Sequence, residues 1–227
     1  MPLINSIILS NDTQIFIWHI EESLEELSEN IQLTVEDLNR LKKLKKLINQ
    51  KGFFAIRNLL FSADINPKNL LYNTMGAPVL KSGKKLSISH SKTVAGIAYG
   101  PNPIGFDLEY YQKKIFKIAP RFLHLEEGFV KKGANVIEKI TLVWTAKEAL
   151  YKLIQKKGIN FSRQLLVAPF EWGAKSGSAK VFISDQIFHF SLIFIVEKNY
   201  CGTLAINKNF KNNYESINRI DLDTLKR

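Results

Sequence analysis

The chain has one cysteine, Cys201, so no internal disulfide can form and a cystine-stapled fold is excluded; a reducing compartment fits this usage. No apolar run approaches the roughly 20 residues that a membrane-spanning helix needs, and no membrane partner is expected. The opening stretch MPLINSIILSNDTQIFIWHI is apolar in patches, without a basic leading region or a long apolar segment, so no secretory signal is expected. Acids are scarce: 21 Asp and Glu against 32 Lys and Arg give a formal net charge of +11. Such an excess favours an anionic partner, whether nucleic acid, a membrane surface, a phosphorylated ligand or an acidic protein. There is no recognition-helix, zinc-finger or aromatic RNA-binding pattern, and the bases are spread over several segments, so nucleic acid is not the expected partner. Together these absences describe a soluble cytoplasmic protein.

At 227 residues the chain is one large domain or two small ones. Ile15 to Ile20 alternates as a strand. In LTVEDLNRLKKLKKLINQ, Thr34 is a candidate N-cap with Asp37 three residues on, and Leu38, Leu41, Leu44, Leu47 and Ile48 have helical spacing. A second helix is expected over residues 53–61, broken from the first near Gly52. KLSISHS and TVAGIAYG read as a hairpin turning at Ser91-Lys92. Pro101-Asn102-Pro103 is the best linker. Beyond it come a strand over 104–109, a helix-like stretch stopped by Gly133, and a helix through WTAKEALYK with Gly158 as its C′ residue. Strands over 179–184, 187–196 and 201–206 follow, then a polar, basic tail after Asn207 that is expected to fray. The fold class is α+β: two similar halves, 1–102 and 103–227, in a pseudo-twofold arrangement, each with antiparallel strands packed on helices.

The chemistry concentrates in two stretches. In IGFDLEYY, Asp107 and Glu109 flank Leu108, and strand alternation puts both carboxylates on one face. In WTAKEALYK, Glu148 and Lys152 are four apart and share a helix face, with Lys147 one residue off it. Taken singly, these are a polar strand end and a solvated ion pair. Taken together, three carboxylates suit a hard cation such as Mg²⁺, which takes oxygen ligands, and neighbouring lysines suit the phosphates it would bridge.

These two stretches strongly resemble the 4′-phosphopantetheinyl transferases, and more closely the larger, monomeric, two-half surfactin-synthetase-activating type. GAPVL…KLSISHSKTVAGIAYG resembles that family's Gly-Lys-Pro turn followed by an Asn-Ile-Ser-His-Ser strand, and IAPRFLHLEE resembles its Arg-Phe-x-x-x-Glu segment. The likeness spans roughly residues 33–206. It implies transfer of the phosphopantetheine arm of coenzyme A to a serine of an acidic acyl, peptidyl or aryl carrier protein, with Mg²⁺ required and adenosine 3′,5′-bisphosphate released. It implies Asp107, Glu109 and Glu148 as metal ligands, with Glu148 also the base for the serine proton. Lys152, assisted by Lys147, would meet the coenzyme A phosphates, and Ser89 and His90 the adenosine phosphate end. Arg57 falls where the family has an arginine near the 3′-phosphate; a helix-surface arginine is the equal alternative. The Gly-Lys-Pro turn is here Gly76-Ala77-Pro78, so its lysine is missing and Lys81, Lys84 or Lys85 would have to substitute. The rival is a non-catalytic basic protein that binds nucleic acid or a carrier.

Overall fold

The computed structural model describes residues 4–9 and 12–207. The fold is α+β, with 34% of the described residues helical and 33% in antiparallel strands. The chain divides between Asn102 and Pro103 into two compact units.

In the first unit, β1 (Ile4–Ile8), β2 (Gln14–His19), β5 (Lys85–Ser91) and β6 (Val94–Gly100) form an antiparallel sheet ordered β1-β2-β6-β5. β6 is buried along its whole length, as a central apolar strand should be. Three helices, α1 (Leu24–Ser28), α2 (Val35–Leu41) and α3 (Leu47–Ser62), accompany it, and β3 (Leu70–Tyr72) with β4 (Pro78–Leu80) makes a separate ribbon. Phe53, Phe54, Ile56, Leu59 and Leu60 of α3 pack with Ile97 and Tyr99 of β6 to form the core. The capping box at Thr34 is present in both directions, with Asp37 N donating to Thr34 Oγ1 over 3.1 Å and Thr34 N to the Asp37 carboxylate over 3.2 Å.

Two boundaries differ from expectation here. The break between the helices falls at residues 42–46, not at Gly52: Lys46 is extended (φ −96°, ψ 133°), and Gln50 Nε2 caps the freed Leu44 carbonyl at 2.8 Å. Gly52 lies inside α3, where a Cβ would stand 2.7 Å from the His90 ring. β1 was not anticipated from the sequence; it is an edge strand paired only to β2 within its sheet.

In the second unit, β7 (Ile104–Tyr110), β8 (Leu165–Val167), β9 (Ser176–Ile183), β10 (Gln186–Val196) and β11 (Tyr200–Asn207) form an antiparallel sheet ordered β7-β11-β10-β9-β8. The 19-residue α5 (Val136–Ile154) crosses β7 and β11, and Leu142, Val143, Ala146, Ala149 and Leu150 of α5 enter the core with Leu192, Phe194 and Ala205. The helix-like stretch before Gly133 is two pieces, α4 (Ile115–Phe122) and a 3₁₀ helix over Leu125–Lys131. The break at Leu123-His124 is capped reciprocally: His124 Nδ1 accepts from Glu126 N at 3.2 Å, and Glu127 accepts from His124 N at 2.7 Å. α5 ends not through Gly158 but through Gln155, which is left-handed at φ 51° and donates its N–H to Tyr151 O. A one-turn helix, α6 (Phe161–Gln164), leads into β8. No described helix is long and apolar enough to cross a membrane. The expectation for the tail after Asn207 lies outside the described residues.

Candidate active site

The site of the second unit begins with a glycine. Gly105, Asp107 and Glu109 alternate onto one face of β7. A Cβ at Gly105 would lie 1.8 Å from Ala149 O, so strand and helix backbones meet there with nothing between them. This contact brings Glu148 and Lys152, which flank Ala149 on α5, alongside Asp107 and Glu109. Beneath the acids runs a buried polar layer: Thr203 is the register partner of Asp107 and Cys201 of Glu109, and Thr203 Oγ1 lies 2.8 Å from Thr145 Oγ1 of α5. Burial pushes the Cys201 thiol far up, with Asp107 and Glu109 adding to it, so it is a neutral core group.

Lys152 Nζ donates to Asp107 Oδ1 at 2.7 Å and to Phe106 O at 2.9 Å. Asp107 is 8% exposed and Lys152 28%, so the pair sits at the rim of the interior. Glu148 is pushed up to about 7, first by burial and then by Asp107 and Glu109, with Lys152 opposing. Three carboxylates thus share one electrostatic neighbourhood, although among the described residues no three acidic, histidine or cysteine side chains stand close enough together to hold a metal ion. The donor set fits a hard divalent cation in kind: carboxylate oxygens whose mutual repulsion such an ion would relieve. Holding one requires the side chains to close up.

Beside Glu148 lies a groove of about 500 Å³, lined by Ile118, Arg121 and Phe122 of α4, Trp144 of α5, and residues 159–161. The Trp144 ring stands between Phe122, at 4.9 Å between centroids, and Phe161, at 5.8 Å.

Lys147, expected to meet the coenzyme, is placed otherwise. Its side chain has no exposed surface. Its ammonium has three N–H donors, and these serve Glu127 at 2.8 Å, Phe122 O at 2.6 Å and Phe161 O at 3.0 Å. No donor remains for a phosphate. Glu127, which sequence reasoning missed, also accepts from Val167 N at 2.8 Å. The Arg-Phe-x-x-x-Glu spacing pointed to Glu126, but Glu126 is exposed and its neighbour Glu127 is the buried one.

In the first unit, Ser89 is buried on β5 while His90 is exposed, its ring lying over Gly52 of α3. Both earlier accounts of Arg57, as a phosphate ligand and as a surface residue, are corrected. Arg57 is 2% exposed, pairs with Asp37, donates to Phe53 O at 3.0 Å and lies 3.3 Å over the Phe53 ring. Its guanidinium ties α2 to α3 from inside the unit.

Residues 103–205 match the family model of the 4′-phosphopantetheinyl transferase superfamily, so the second unit is similar to a domain of that superfamily. The match supports phosphopantetheinyl transferase activity in general, a chemistry in which the family draws on coenzyme A and acts on carrier proteins. No curated protein matches the chain.

Proposed function

We propose that this protein transfers the 4′-phosphopantetheine group of coenzyme A to a serine of an acyl, peptidyl or aryl carrier protein, acting as a cytoplasmic monomer of the surfactin-synthetase-activating type. The carrying observation is the close contact at Gly105, which lays Asp107 and Glu109 against α5 beside Glu148, a carboxyl pushed up to about 7 first by burial and then by these acids. Asp107, Glu109 and Glu148 would hold Mg²⁺, which when bound supplies charge neutralisation for the departing bisphosphate.

The residues of the chain supply the rest. The carrier serine Oγ forms a bond to the phosphorus of the phosphopantetheine phosphate as the bond from that phosphorus to the bridging oxygen breaks. The electron pair leaves with adenosine 3′,5′-bisphosphate, and the serine proton passes to the Glu148 carboxylate. Lys152, on a flexible stem at the rim, turns from Asp107 toward the phosphate oxygens. The groove beside Glu148, apolar rings with Arg121 and Asn160 at its edge, suits the amide-bearing pantetheine arm. Ser89 and His90 contribute contacts to the adenosine end. The net charge of +11 attracts an acidic carrier, so the rate should fall with added salt.

The deciding experiment incubates an apo carrier protein with the enzyme, coenzyme A and Mg²⁺ and reads the carrier's mass. A gain of one phosphopantetheine is expected, and it should be lost in Asp107→Ala and Glu148→Ala variants that remain folded. Full labelling by both variants would refute the site. Binding to duplex DNA that is indifferent to coenzyme A and Mg²⁺, with no mass gain, would favour the rival basic binding protein.

A further inference from the structure

Lys147 and Glu127 form an ion pair with no exposed surface on either side chain. Compared with apolar residues of similar volume, such a pair is seldom a net stabiliser, so stability alone does not account for it. Its other bonds are more telling. Lys147 Nζ holds Phe122 O, at the end of α4, and Phe161 O, at the start of α6. Glu127 in turn holds His124 N and Val167 N, just beyond those same two segments. Phe122 and Phe161 belong to two of the three segments that line the groove beside Glu148; the third is α5, which carries Lys147 itself. The ammonium does not line the groove; it lies beneath the lining and binds its parts together.

We infer that Lys147, held by Glu127, is a positioning residue that ties α4 and the start of α6 to α5 and so sets the width of the groove receiving the pantetheine arm. This rests on the transferase reading above and adds to it a determinant of arm binding that touches no substrate atom. With the lysine removed, two carbonyls and a carboxylate lose a shared donor in the interior, and α4 and α6 are free to part. The Phe122–Trp144–Phe161 ring cluster would then lose its spacing, while Asp107, Glu109 and Lys152, none of which lines the groove, would stay in place.

The test is the paired substitution Lys147→Met with Glu127→Leu, which removes both charges at similar volume, with Lys147→Arg as a second variant should the first not fold. Arginine keeps the charge but spreads its donors over a planar fork that cannot reproduce the point clamp. Calorimetric binding of coenzyme A and of adenosine 3′,5′-bisphosphate, both with Mg²⁺, is compared with wild type, together with kcat and KM on an apo carrier. Coenzyme A should bind roughly tenfold more weakly and its KM should rise in step, through loss of a preorganised groove. Adenosine 3′,5′-bisphosphate, which lacks the arm, should bind as it does to wild type. Unchanged coenzyme A affinity in a folded variant, or equal weakening of both ligands, overturns the clamp. Should the wild type bind neither ligand, the transferase reading itself falls, and the clamp falls with it.

Discussion

Lys152 Nζ stands 2.7 Å from Asp107 Oδ1, so an internal cation already rests on the first acid of the strand motif. The same lysine opposes the rise in Glu148. One ammonium therefore pairs with Asp107 and moderates Glu148.

Replacing Lys152 with Met should raise the proton affinity of Glu148 further, because burial, Asp107 and Glu109 would act on it without opposition. The pH at which Glu148 ionises should move upward from about 7, and transfer activity at pH 7 should fall on the order of a hundredfold as base and phosphate contact are lost together. Carboxyl titration by NMR and a pH–rate profile check this. An ionisation that stays put would show that Lys152 does not act on Glu148.

Glu148 also makes stability depend on pH. Its folded value of about 7 lies above the ordinary 4.5, so between these values the folded state keeps a proton that the unfolded state has lost. Stability of the metal-free protein therefore falls as pH rises across that window, and the full penalty remains above 7. Glu148→Gln removes the titration. The variant should match wild type near pH 4 and exceed it at pH 8, by roughly 1–3 kcal/mol after allowing for partial exposure. Denaturant unfolding at the two pH values, in a chelating buffer, measures the gap; a difference that is the same at both would remove Glu148 as its source.

The contact at Gly105 admits no side chain. In Gly105→Ala the new methyl would overlap a backbone carbonyl, and neither β7 nor α5 has a flexible end to move aside. A loss of roughly 3 kcal/mol or more is expected, with the acid site dispersed. Gly128, which has open space around its Cβ direction, is the control: Gly128→Ala should lie within about 0.5 kcal/mol of wild type. Thermal unfolding of the two variants side by side gives the answer, and a stable Gly105→Ala protein would mean that strand and helix are less tightly joined than described.

How far all this was legible from the sequence depended on whether periodicity carried the signal. Alternation put Asp107 and Glu109 on one face, helical spacing paired Glu148 with Lys152, and the α+β class followed from the same patterns. Burial of charge was not legible. Lys147 sits beside Ala146 and Glu148 and Arg57 in the apolar run FFAIRNLLF, and a charged residue on a helix is a surface residue until a specific partner is known. Their partners, Glu127 and Asp37, lie 20 residues away in each case, a separation that no local rule connects. β8 escaped notice because three residues are too few to show a period. Gly52 was misread for a related reason: glycine marks either a break or a close approach, and only the fold shows that His90 fills the space.

That last ambiguity can be tested. Within a helix, Gly→Ala normally gains about 1 kcal/mol from propensity, but at Gly52 the new methyl would stand 2.7 Å from the His90 ring. The two effects are separable, because His90 is exposed and its ring can rotate outward, whereas the helix backbone cannot yield. Gly52→Ala should therefore leave stability level or slightly raised while displacing His90. If His90 contacts the adenosine end of coenzyme A, the variant should bind coenzyme A and adenosine 3′,5′-bisphosphate several-fold more weakly, and to the same degree as His90→Ala. Melting temperature and calorimetric affinity separate the outcomes. Affinity unchanged in both variants would leave His90 as a packing residue over α3.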